Sequence, residues 1–236
     1  MAETFDFEQN WQKKLSASLD REAGRAIRVR VMQGCQELTR DSNREEVIDW
    51  SRQAMEKLDA LLDPGVAQTI MASCACRYPT ADLQAEREVY ARTGEIDRVH
   101  QMLQDKFELF LRNTLQLDES LIQTVVERGW GLAGNKDGDT IVATKIPKSG
   151  FLEDYFNEPD PEKRRQLYCH CPRVRDGVAM GEMLPVTYCY CGAGFYQGIW
   201  EDILQQPVKV DILSSVLQGD DLCTIAIHLP PANTSG

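Results

Sequence analysis

Apolar residues recur at helical intervals through the first half of the chain and alternate along the strand axis only towards its end. Phe7, Trp11, Leu15 and Leu19 form a stripe of one residue per turn, which predicts a first helix buried along that face. A second helix is expected over 25–33, stopping near Gly34 and Cys35. Ser42 followed by Glu45 has the form of a capping box and opens a third helix, with Val47, Ile48, Met55, Leu58 and Leu62 on one face. Asp63, Pro64 and Gly65 end that helix and start a short one, with Asp63 as cap and Pro64 at the first helical position. The short helix delivers Cys74 and Cys76 at its C-terminal end. Helices over 81–92 and 95–115 follow, separated by a stop at Gly94, and Asp118 caps another that runs to Arg128.

The pattern then changes. Asn135, Lys136, Asp137 and Gly138 read as a turn before a strand, Thr140–Thr144. A loop rich in proline and acidic residues leads to Pro161, where a short helix brings the chain to Cys169. Residues 184–190 read as extended, 194–205 as helical, and 208–213 and Thr224–His228 as strands joined through a turn at Gly219, Asp220 and Asp221. The order of elements predicts an α+β fold: a helical N-terminal half, with helices packed on an antiparallel sheet formed largely by the C-terminal half. One domain over 1–236 is expected. The change of pattern allows a sub-boundary near residue 130, between a helical part over 1–130 and a sheet-forming, ligand-binding part over 131–230.

Composition narrows the classes. The chain has 236 residues, 42% of them hydrophobic and 27% charged, as in an ordinary globular protein. A net charge of -11 argues against nucleic acid or an anionic membrane as partner. No apolar run approaches the roughly 18 residues of a membrane span. The N-terminus carries Glu3, Asp6 and Glu8 and no apolar core, unlike a signal peptide. A cytoplasmic location is therefore expected, where clustered cysteines serve metal or redox chemistry more often than structural disulfides. The tail Pro-Pro-Ala-Asn-Thr-Ser-Gly is expected to fray, and nothing in the pattern sets an oligomeric state.

Six of the eight cysteines fall in three pairs with one residue between partners: Cys74 and Cys76, Cys169 and Cys171, Cys189 and Cys191. Four chemistries can use them. Two pairs supply the four thiolates of a zinc or other soft-metal site, and alternate residues in an extended segment point the same way. The first ligands expected are Cys169, Cys171, Cys189 and Cys191, then Cys74 and Cys76. The 17 residues between Cys171 and Cys189 approach the gap of a zinc ribbon, although a ribbon has two residues inside each pair. A redox or nucleophilic thiol is the second chemistry. Arg164, Arg165, Arg173 and Arg175 flank Cys169 and Cys171, Arg77 follows Cys76, and Cys191 precedes a helix start; each favours a thiolate. The third is a sulfur-lined pocket for a small organic ligand. The fourth is plain burial of small apolar side chains, which suits Cys35 and Cys223 best.

Other features invite chemistry and have simpler explanations. Gly192, Gly194 and Gly198 with Asp211 imitate a dinucleotide-binding fingerprint, but only 25 residues follow Asp211, too few for the remaining strands. The glycines are expected to allow close packing beside the cysteines. His100 and His228 are expected at the surface, and Glu201 with Asp202 on a solvated face. Lys163, Arg164 and Arg165 read as solvated, with an anion clamp over Cys169 as the competing use.

The C-terminal segment carries a resemblance. Gly194-Phe-Tyr-Gln-Gly-Ile-Trp200 through Gln205, then Pro207-Val-Lys-Val210, then Ser215-Val-Leu-Gln-Gly-Asp-Asp-Leu-Cys-Thr-Ile225 resembles the close of the L-2-amino-thiazoline-4-carboxylic acid hydrolase family and of the 4-vinyl reductase type of small-molecule-binding domain. Residues 168–229, marked by Cys-His-Cys-Pro and Tyr-Cys-Tyr-Cys-Gly, look like an uncharacterised cysteine-rich branch of that superfamily. Val216 stands where the vinyl-reductase type often has a further cysteine. The resemblance implies helices on an antiparallel sheet with a small-molecule ligand between them, and it maps no catalytic residue. Two readings then share the same side chains. One is a protein that binds a small molecule or soft metal with its cysteine pairs. The other is a hydrolase of a sulfur-containing cyclic or amide substrate, with Cys171 or Cys191 as thiolate and Arg173 or Arg175 holding a substrate carboxylate.

Overall fold

The computed structural model describes residues 6–35 and 38–230. The fold is α+β, with helices through the N-terminal half and an antiparallel four-stranded sheet built from the C-terminal half. The chain forms two compact units, neither continuous in sequence. One comprises Met1–Cys76 and Cys169–Gly194; the other comprises Arg77–Tyr168 and Phe195–Gly236. No break between them falls near residue 130.

The first unit holds all three cysteine pairs and Cys35. Its helices are α1 (Phe7–Glu22), α2 (Arg25–Val31), α3 (Arg44–Leu61), α4 (Pro64–Ser73) and α10 (Pro172–Met180), followed by a 3-10 turn over Val186–Cys189 and the first turn of α11 (Tyr190–Leu204). The α1 stripe buries Trp11, Leu15 and Leu19 as its spacing demands, and Asp6 caps the helix by accepting the Gln9 amide at 3.0 Å. Helix α3 starts one residue later than its expected box. Asn43 is the cap, accepting from the Glu45 amide at 2.9 Å, while Ser42 Oγ accepts from the Thr39 amide. Asp63 and Pro64 open α4 as expected, though Asp63 makes no side-chain cap bond. Residues 184–190, expected as a strand, are helical from Val186 onward.

The second unit holds α5 (Gln84–Thr93), α6 (Ile96–Asn113), α7 (Glu119–Glu127), α8 (Leu152–Asn157), α9 (Pro161–Tyr168), the remainder of α11 and the sheet. Val99, Leu103, Phe107 and Leu111 give α6 one buried residue per turn. The strands are β1 (Asn135–Asp137), β2 (Thr140–Thr144), β3 (Lys209–Ser214) and β4 (Thr224–His228), in the order β1-β2-β4-β3. Ile141, Ile227 and Val210 lie opposite one another across three strands, and Ala143, Ile225 and Ile212 form the next row but one, a register set by the buried face. Asn135, Lys136 and Asp137, expected as turn residues, are themselves the short strand β1, and the chain reverses at Gly138, whose φ is 57°. Tyr168, at the end of α9, donates to the Lys145 carbonyl at 2.6 Å and accepts from the Cys223 amide at 2.9 Å. That satisfies backbone groups at the ends of β2 and β4, beside the buried Cys223. Of the frayed tail expected from Pro230 onward, residues 231–236 lie outside the described residues.

Candidate thiol site

Tyr188 is the hub of the first unit. Its ring is fully enclosed and stacks on Trp11, with centroids 5.5 Å apart. Its hydroxyl lies 3.2 Å from Cys171 Sγ and receives a hydrogen bond from Arg173 Nη1 at 3.4 Å. Arginine can only donate, so the tyrosine oxygen accepts from it, and between that hydroxyl and the sulfur either atom can be the donor. Burial, and then the charge of Cys171, push the Tyr188 phenol well above its ordinary value, with Arg173 pulling the other way. The proton therefore stays on the oxygen at neutral pH. Cys171 Sγ is held against this hydroxyl, half-buried at the N-cap of α10.

Arg173 is fully buried, although it is a long cation. Its Nη2 pairs with the Glu8 carboxylate, and its guanidinium lies 3.9 Å from the centre of the Trp11 ring. Arg44 Nη1 takes the other Glu8 oxygen at 2.8 Å and its Nε takes Asp176 at 2.7 Å. Burial works against the charge on Arg173, but Tyr188 and Glu8 outweigh it and hold the guanidinium above its ordinary value. Arg173, expected to hold a substrate carboxylate, is bound to one from the chain itself. Arg175 reaches the Cys169 carbonyl at 3.5 Å.

The other thiols occupy distinct surroundings. Cys74 caps α4, is buried, and donates to the Ile70 carbonyl at 3.4 Å. Burial drives its thiol far up, and Cys191 adds to the effect. Cys191 lies in the first turn of α11 and also acts on Tyr188, so one thiol from each pair influences this neighbourhood: Cys74, Cys171 and Cys191. Cys169 is buried, Cys189 half-buried and Cys76 exposed. Among the described residues, no three His, Cys, Asp or Glu side chains are gathered as a metal ion would require. Cys74 is buried where Cys76 is exposed, and Cys169 is buried where Cys171 is half-buried.

Glu8, Trp11 and Tyr188 went unmarked in the sequence. Glu8 is buried on the face of Trp11 and Leu15, but Phe7 beside it supplies the apolar residue of that turn, so its burial had no local signal. In the second unit, His100 is tied to the Gly134 carbonyl at 3.0 Å, and His228 to Asp211 at 2.8 Å. Glu201 and Asp202, expected on a solvated face, are engaged: Glu201 accepts from the Val208 amide and Asp202 pairs with Arg87 at 2.7 Å. Arg165 binds the Gly219 carbonyl and Asp221.

The family of unknown function DUF6144 matches the chain over residues 162–233, from α9 to beyond β4. No curated protein and no solved structure matches the chain. The matched stretch contains Cys171, Arg173, Tyr188 and Cys191, but not Glu8, Trp11 or Cys74.

Proposed function

We propose that the protein binds a small organic ligand through the Cys171 sulfur, in a unit lined by the three cysteine pairs. The observation that carries this reading is the Arg173–Tyr188–Cys171 chain of hydrogen bonds. A merely buried cysteine needs no such support, whereas a sulfur that meets a ligand gains from a fixed polar group at its back. The resemblance of the C-terminal segment to thiazoline-carboxylate hydrolases and 4-vinyl-reductase-type domains supports a small sulfur-containing or heterocyclic ligand. A zinc or other soft-metal site at Cys169, Cys171, Cys189 and Cys191, with Cys74 and Cys76, fits less well. It needs thiols turned to one point, and here Cys171 faces Tyr188 while Cys169 is buried.

The hydrolase reading uses the same sulfur as nucleophile, with Cys191 at the start of α11 as the second candidate thiolate. The test is protection from alkylation. The protein is labelled with iodoacetamide in the presence of thiazoline-4-carboxylates or of zinc, and each cysteine is followed by peptide mass spectrometry. Selective slowing at Cys171 by the organic compounds is the expected result, and their ring opening would add catalysis to binding. Protection by zinc spread over four cysteines would replace this reading with the metal one. Cys171 labelling no faster than that of half-buried Cys35, and unaffected by either, would remove it.

A further inference from the structure

The first turn of α11 rests directly on the last turn of α4. A Cβ on Gly194 would overlap the backbone carbonyl of Ala72, so the two backbones meet with no side chain between them. Cys191 precedes Gly194 by three positions and shares its face of α11. Cys74 follows Ala72 by two and caps α4. The contact thus has a thiol on either side. Cys191 lies close enough to Cys74 to add to the rise that burial causes in its thiol.

We propose that Cys74 and Cys191 form a reversible disulfide across this contact, a redox site separate from Cys171. A disulfide needs Cα atoms about 4.4–6.8 Å apart, and backbones in contact two residues before Cys74 and three after Cys191 bring that range within reach. Pairing inside a motif is disfavoured by the same geometry. Cys189 and Cys191 stand two apart on continuous helical backbone, where side chains diverge. Cys74 is buried while Cys76 is exposed.

The two thiols divide the work. Cys191 is half-buried where Cys74 is buried, so it meets the oxidant. Its thiolate attacks a small-molecule disulfide, forming a mixed disulfide and expelling one thiolate of that molecule. Cys74 then attacks the Cys191 sulfur, and its proton leaves with the second small thiol. Two cysteine thiols are oxidised and one small disulfide is reduced to two thiols.

The full chain is treated with oxidised glutathione, blocked with N-ethylmaleimide, digested with trypsin without reductant and mapped by mass spectrometry. Trypsin leaves Cys74 with Cys76 on one peptide and Cys189 with Cys191 on another, so single replacements assign the partners. The expected result is a cross-link between these peptides that persists in Cys76→Ser, Cys189→Ser and Cys171→Ser and disappears in Cys191→Ser and Cys74→Ser. Its persistence in Cys171→Ser keeps it distinct from the ligand reading. Cys191→Ser changes a half-buried position, so its result stands even if Cys74→Ser folds poorly. A cross-link that survives either of those two replacements, or glutathione retained on Cys191 with no cross-link, overturns the proposal.

Discussion

A buried phenol that bridges an arginine and a cysteine gives Tyr188 a measurable role. Tyr188→Phe keeps the ring and its stacking on Trp11 but removes the group that joins Arg173 Nη1 to Cys171 Sγ. An unsatisfied buried donor costs about 1–3 kcal/mol, so thermal unfolding should show a loss of that order. Alkylation of Cys171 at neutral pH should slow severalfold in the same variant, while Cys35 and Cys76 keep their rates. Unchanged Cys171 labelling would reduce Tyr188 to a packing residue. At this scale the sequence announced the cysteines through their spacing and kept their partners hidden. Tyr188 stands in plain view between two cysteine pairs, but nothing local distinguishes it from Tyr190. The distinction comes from Trp11 and Glu8 on α1, far away along the chain.

Helices were legible because their period and caps are local properties: the α1 stripe, Asp63 with Pro64, Gly94 and Asp118 all act within a few residues. The misread segment, 184–190, shows why alternation can mislead. Val186, Tyr188 and Tyr190 alternate with smaller residues as a strand would, yet only Tyr188 of the three is fully buried and the backbone coils into α11. Strand β1 was missed for the opposite reason, having three polar residues and no apolar member, paired only because β2 lies beside it. Glycine positions separate local from tertiary demands in a testable way. Gly194→Ala pushes a methyl group into the Ala72 carbonyl and should destabilise by about 1–3 kcal/mol or more, despite the helix preference for alanine. Gly65, in the first turn of α4, has nothing near its missing Cβ, and Gly65→Ala should stabilise by up to about 1 kcal/mol. Chemical denaturation of both variants checks the pair; a shared sign would mean that the α4–α11 contact yields easily.

The division into units was not legible, since one unit joins residues before Cys76 to residues after Tyr168, and no linker composition marks the crossings. The units also differ in how their carboxylates are held. In the second unit Asp97, Asp118, Glu119 and Asp211 sit below their ordinary values: Asp97 through Lys136, Asp118 through Ser120 and the Leu121 amide, and Glu119 through Arg112. For Asp211, burial pushes upward and is outweighed by Lys209 and His228. In the first unit Asp6 is held down by the Gln9 amide, while burial pushes Asp59 up. A depressed carboxylate contributes stability above its unfolded value and loses it as the pH falls through the lower folded value. A raised one works in reverse: its contribution is present below the unfolded value and lost as the pH rises through the folded one. Acidification from neutral pH through the carboxylate range, below about 4, should therefore weaken the second unit more than the first, where Asp59 offsets Asp6. Proton–nitrogen correlation spectra recorded down that range should lose dispersion first for amides of β2, β4 and α7, with α1 and α3 following at lower pH. Salt should narrow the gap, because Asp97, Asp118 and Glu119 are exposed and their partners are screened. Simultaneous loss of all these resonances would show that the two units unfold as one cooperative body.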